Sequence, residues 1–187
     1  MSVTVAKTAG FCFGVRRAVE LAEEQAHEHG SIYAYGEIIH NMHEIERLEK
    51  MGVHTAHTIE EIPDGERVLI RAHGVPRAVY DAFRAKNCEI FDATCPFVHK
   101  IHRIVDEESR AGRLIVILGK EGHPEVEGIR GWCGESVVID GEQAAQTFAD
   151  AFNPADRPVS MVAQTTVNRT IWNISVSILK KRCTNLK

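Results

Sequence analysis

Arg113-Leu114-Ile115-Val116-Ile117-Leu118-Gly119-Lys120-Glu121-Gly122-His123-Pro124-Glu125 decides the fold class. Five apolar residues in succession, Leu114 to Leu118, read as a strand covered on both faces, as strands of a parallel sheet are. A glycine-rich turn follows, and then a proline at the first position of a helix, where its fixed φ and missing N–H do no harm. Strand, turn and helix in that order form one half of a β-α-β unit.

The same alternation extends in both directions. Strands are expected over residues 2–7, 32–35, 53–55, 67–71, 88–92, 137–139 and 159–163. Helices are expected over 14–28, 41–51, 76–86, 96–111, 125–132, 142–152 and from 168 to about 182. In the first helix Val15, Ala18, Val19, Ala22 and Ala26 recur at the spacing of one helical face. Asn41 suits an N-cap, Pro63-Asp64-Gly65 marks a turn, and residues 153–158 read as a loop. The implied fold is α/β with mostly parallel sheets. A boundary near Cys95-Pro96 divides it into two small lobes, residues 1–95 and 96–187; one doubly wound domain is the alternative.

Composition removes several classes. With 44% hydrophobic and 26% charged residues the chain can bury a core, which excludes disorder. A net charge of −4 and scattered Lys and Arg argue against nucleic acid as the main partner. An apolar run of five residues is far short of the roughly 20 that span a membrane. The N-terminus lacks the basic-then-apolar pattern of a signal peptide, so the cytosol is the expected compartment. The five cysteines are odd in number and form no Cys-x-x-Cys pair, so neither a disulfide framework nor a zinc finger is expected.

Position carries the functional signal. Each expected strand-to-helix turn holds a chemically capable residue: Cys12, His40, His73, Cys95, His123 with Glu125, and Thr165. In open parallel sheets that edge is where ligands bind, and helix N-termini there favour anions. Taken singly, Cys12 and Cys95 are as consistent with small tolerated residues as with ligands. Together, at equivalent edges, they suit a metal or cluster. His40, His73 and His123 suit a shared anionic ligand. Glu125 is a candidate general acid, with Glu121 and Glu127 as competing carboxylates. Thr165 could orient a proton or simply cap the next helix. Cys88, Cys133 and Cys183 read as packing residues. His27, His29, His54, His57, His99 and His102 receive no role.

Gly10-Phe11-Cys12-Phe13-Gly14-Val15 with Arg17-Ala18, Glu37-Ile38-Ile39-His40-Asn41, Arg71-Ala72-His73-Gly74-Val75, Asp92-Ala93-Thr94-Cys95-Pro96, Gly122-His123-Pro124-Glu125-Val126-Glu127-Gly128 and Gln164-Thr165-Thr166, in that order, resemble the motifs of the 4-hydroxy-3-methylbut-2-enyl diphosphate reductase family. The resemblance implies a trefoil of three α/β lobes around a 4Fe-4S cluster. Cys12 and Cys95 would be cluster ligands, His40, His73 and His123 would hold the substrate diphosphate, Glu125 would supply a proton, and Thr165 would lie beside the substrate. It implies reductive dehydration to isopentenyl and dimethylallyl diphosphates, the last step of the non-mevalonate isoprenoid pathway, with electrons from ferredoxin or flavodoxin. Against that pattern the chain looks like the first two lobes, with the third lobe and its cysteine absent, and turnover by this polypeptide alone is not expected. A zinc- or iron-dependent hydrolase using His40, His73, His123 and Glu125, and a non-catalytic phosphate-binding module, are the rival readings; no His-Glu-x-x-His spacing favours the first.

Overall fold

In the computed structural model, which describes residues 2–7, 9–153, 157–183 and 185–187, the chain divides into two compact units. The first comprises residues 1–72 and 83–95, the second residues 73–82 and 96–187.

The first unit holds α1 (Phe13–His29), β1 (Ile32–Tyr35), α2 (Met42–Glu49), β2 (Val53–Ala56), β3 (Arg67–Ile70) and β4 (Glu89–Asp92). Its sheet is wholly parallel in the order β2-β1-β3-β4. α1 buries Ala18, Val19, Ala22 and Ala26 of the expected stripe, with Val15 only partly buried against them, buries Gly14 and Gln25 besides, and stops at Gly30, whose φ of 78° few other residues adopt readily. Ala18, Val19, Ala22 and Ala26 pack with Ile32, Ala34, Leu48 and Leu69 in one core. Asn41 caps α2, its side chain accepting from the Glu44 amide at 3.3 Å.

α3 (Arg77–Ala85) begins in the second unit and ends in the first. The second unit continues with α4 (Pro96–Arg110), β5 (Leu114–Leu118), α5 (Pro124–Arg130), β6 (Ser136–Ile139), α6 (Glu142–Ala151), β7 (Val159–Ala163) and α7 (Arg169–Arg182). Its sheet is parallel in the order β6-β5-β7. β5 is central and every one of its residues is buried. One core lies with Leu114, Val116, Leu118 and Leu179, the other with Ile115, Ile117, Val126 and Ile129, so alternate residues of β5 serve opposite faces.

The strand expected over residues 2–7 is absent. Val3 and Val5 are 89% and 75% exposed, and the segment joins neither sheet. Without a neighbouring edge to pair with, extended backbone is not a strand. Pro154, Ala155 and Asp156 of the expected loop lie outside the described residues. No helix among the described residues is long and apolar enough to cross a membrane.

Candidate functional site

In both sheets the first strand is central and the chain passes first to one side of it, then to the other. Between such neighbours the loops at the carboxyl ends diverge and leave a crevice. In the second unit that place lies between β5 and β7. Gln164 seals its floor: its amide donates to Leu118 O at 2.8 Å, its side-chain carbonyl accepts from Lys120 N at 3.2 Å, and its side-chain NH2 donates to Thr166 Oγ1 at 2.9 Å. A crevice of about 240 Å³ opens here against Gly119, Lys120, Thr166 and Asn168. Neither this crevice nor a larger groove of about 540 Å³ along β6 and α6 is lined by the expected site residues themselves.

Glu125, the second residue of α5, is only 2% exposed. Thr165, from the turn after β7, satisfies both of its carboxyl oxygens: the Thr165 amide donates to Oε1 at 2.6 Å, and its hydroxyl pairs with Oε2 at 2.9 Å. The two partners differ chemically. An amide N–H only donates, so Oε1 is reserved as an acceptor; a hydroxyl donates or accepts, so Oε2 is the oxygen that can carry a proton without losing its partner. The alternative reading of Thr165 as a helix cap fails, because Asn168 caps α7 through its bond from Thr170 N at 2.7 Å.

His123 caps α5 with its own ring. Nδ1 accepts from the Glu125 amide at 3.1 Å. Since that partner can only donate, Nδ1 is unprotonated in the capped state, and the neutral ring carries its proton on Nε2. His73 packs edge-on against it, with ring centroids 5.7 Å apart at 79°. The second unit therefore gathers His73, His123, Glu125 and Thr165 into two contacting pairs joined by the α5 cap.

In the first unit, the turn Asp92-Ala93-Thr94-Cys95 follows β4 and lies against α1. A Cβ placed on Gly14 would come 2.7 Å from Cys95 Sγ, so only glycine leaves room for the thiol there. Cys12 is the N-cap of the same helix and is exposed, with no side-chain capping bond of its own. His40, also exposed, ends the turn after β1, its Nδ1 3.4 Å from Glu37 Oε2. A Cβ on Gly36, at the start of that turn, would meet Arg71 Nη1 at 2.5 Å, and burial pushes the Arg71 guanidinium below its ordinary value.

The remaining cysteines behave as packing residues. Burial raises the thiols of Cys133 and Cys183, which disfavours the thiolate that ligation needs, and Cys88 Sγ faces the Pro63 carbonyl at 3.7 Å. Among the described residues, no three His, Cys, Asp or Glu side chains form a group that could hold a metal ion. Cys12 and Cys95 fit an iron–sulfur cluster in kind, as two soft sulfur donors, and make up only part of the usual cysteine set.

Sequence reasoning missed His102. It is 1% exposed and stacks on Trp132 at 5.2 Å, although its place four residues after the buried Val98 was a signal for the inward face. It also gave no role to Arg17 or Gln164, which hold the turns carrying Cys95 and Thr165.

Fold and turns together define a parallel α/β protein with imidazole, carboxyl and thiol groups at the carboxyl ends of its strands. The family model described as LytB protein matches residues 3–187, and the chain belongs to that family. It is 41% identical over 97% of its length to a 4-hydroxy-3-methylbut-2-enyl diphosphate reductase of Clostridioides difficile, and 36% identical over its whole length to one of Caldanaerobacter subterraneus. It spans 63% and 65% of those two proteins. A solved structure titled as the terminal enzyme of the non-mevalonate pathway superposes with a TM-score of 0.84 at 36% identity, covering 99% of this chain and 66% of that one. The corresponding Plasmodium falciparum reductase gives 0.88 at 28% identity, covering 97% and 57%.

Proposed function

We propose that this chain carries the diphosphate-binding and proton-donating parts of an iron–sulfur reductase that converts 4-hydroxy-3-methylbut-2-enyl diphosphate to isopentenyl and dimethylallyl diphosphates. In that reaction the allylic C–O bond breaks, two electrons and two protons are taken up, and water leaves. The observation that carries the reading is the buried Glu125 carboxyl with both oxygens held by Thr165.

Cys12 and Cys95 are assigned as ligands of a 4Fe-4S cluster, which when bound supplies electrons and a Lewis-acid iron. His40, His73 and His123 are assigned to the diphosphate; His123 offers Nε2–H as a neutral donor because its Nδ1 is committed to α5. Glu125 delivers a proton from Oε2, and the Thr165 hydroxyl then donates back to the carboxylate left behind. Ferredoxin or flavodoxin is the proposed electron donor and the cytosol the proposed compartment. Residues 1–95 and 96–187 are taken as the first two lobes, with residues 73–82 of the first stretch belonging to the second compact unit.

Anaerobic reconstitution tests the assignment. The chain is expected to bind iron and sulfide with a brown colour, and Cys12→Ser and Cys95→Ser are each expected to lose most of both. By titration calorimetry, His123→Ala is expected to weaken binding of the allylic diphosphate, whereas Glu125→Gln binds it. A colourless protein with stoichiometric zinc, or Ser variants that keep their iron, would overturn the reading.

A further inference from the structure

Arg17 belongs to a motif singled out above, but nothing in the proposed chemistry uses it. It lies in the second turn of α1, half-buried. Its guanidinium reaches across to the turn after β4, Nη1 donating to Thr94 O and Nη2 to Asp92 O, both at 3.1 Å. The same turn is closed from within by the Asp92 carboxylate, which accepts from Thr94 N at 2.8 Å. It is tied to the turn after β3 by Cys95 N donating to Ala72 O at 2.9 Å.

Gly14 and Arg17 are three residues apart on one helical face, so they present to the turn together. Gly14 provides the space in which the Cys95 sulfur sits, and Arg17 grips the two carbonyls that precede it. A guanidinium suits this task because its rigid fork satisfies two acceptors at once, which a lysine ammonium matches poorly. Thr94 is fully buried, so its carbonyl needs such a partner.

We infer that Arg17 is a positioning residue that holds the Asp92–Cys95 turn on α1 and so fixes the Cys95 thiol against Gly14 at the helix start. This extends the ligand assignment of Cys95 and rests on it for its functional meaning. The physical claim itself stands on the iron-free chain.

The test is anaerobic alkylation of the reduced, iron-free chain with iodoacetamide, read residue by residue by peptide mass spectrometry. Cys88, half-buried in the same unit and without contact to Arg17, is the internal reference. Arg17→Ala removes both hydrogen bonds and is expected to speed alkylation of Cys95 at least about ten-fold, the change that loss of one charge-assisted hydrogen bond alone would give, with Cys88 unchanged within about two-fold. Arg17→Lys, the milder variant, is expected to fall between, and free guanidinium at millimolar concentration to slow Cys95 in Arg17→Ala towards the parent rate. If Cys95 does not change, or if Cys88 rises in step with it, Arg17 is a general stabiliser and the inference fails. A Cys95→Ser chain that keeps its iron would sink the ligand reading while leaving this result intact, so the two failures are distinguishable.

Discussion

Gly119→Ala is the most informative single substitution in the second unit. Gly119 follows β5 directly, and a Cβ there would lie 2.7 Å from Val126 Cγ2 and 3.0 Å from both Cβ and Oε1 of Gln164. Carbon atoms prefer about 3.5–4.0 Å, so Val126 must retreat by roughly 1 Å. Overpacking a core by one methyl group costs about 1–3 kcal/mol. Val126 is the residue after Glu125, whose bonds to Thr165 measure 2.6 and 2.9 Å. Moving α5 by that amount stretches them past hydrogen-bond range, and a buried polar group left unsatisfied adds about 1–3 kcal/mol. The effects share one displacement and are not fully additive, so about 2–4 kcal/mol is expected overall. Urea unfolding gives the stability, and calorimetry with inorganic pyrophosphate gives the binding. A loss under about 0.5 kcal/mol, the range of ordinary surface substitutions, with pyrophosphate binding unchanged, would refute the claim that Gly119 lets α5 and the β7 turn close on each other.

Lys187 and Ser160 donate to Glu108, each at 2.7 Å, and together with Arg113 at 3.0 Å they hold its carboxyl below the ordinary value of 4.5. A depressed folded value means that this contribution is complete above about pH 4.5 and is lost as the pH falls through the lower value; Glu108→Gln is therefore expected to flatten the acid limb of a melting-temperature profile without reshaping the neutral region. His123→Ala removes the α5 cap and is expected to cost about 1 kcal/mol, whereas His123→Asn, whose side-chain carbonyl can accept from Glu125 N, is expected to recover most of it in thermal unfolding. Equal losses in the two variants would show that the ring, not its capping bond, stabilises the turn.

Local pattern located most of this molecule because its strongest signals are local. The apolar run Leu114–Leu118 could only be a strand covered on both faces, and it lies at the centre of its sheet. The five turns from β1, β3, β4, β5 and β7 fall where glycine, proline and cap residues placed them. Residues 2–7 went the other way: alternation shows what a strand could bury but not whether a sheet edge is free to accept it. His102 shows the reverse, because helical spacing put it inside while its polarity suggested a surface. Arg17 was visible only as part of a motif. Its partners are 75 and 77 residues away, a separation that no periodicity encodes.

The Glu125–Thr165 pair has the same long-range origin, and its geometry follows from strand register. Leu118 is level with Ala163 where β5 and β7 pair, and Gln164 N donating to Leu118 O carries the ladder one step further. From that fixed point the two chains diverge: one through a glycine-rich turn to the capped start of α5, the other directly into Thr165. The two side chains are 40 residues apart in sequence, yet their separation in space is set by a few peptide units on either side of one rung. A slip of one residue between β5 and β7 would move Thr165 by about 3.3 Å, beyond reach of the carboxyl. It would also exchange the two buried faces of β7, taking Val159 and Met161 out of the core they share with Leu179 and Val162 out of the core it shares with Val126, at a cost above that of any single hydrogen bond. The hydrophobic pattern of β5 and β7 is therefore what aligns the Glu125 carboxyl with Thr165.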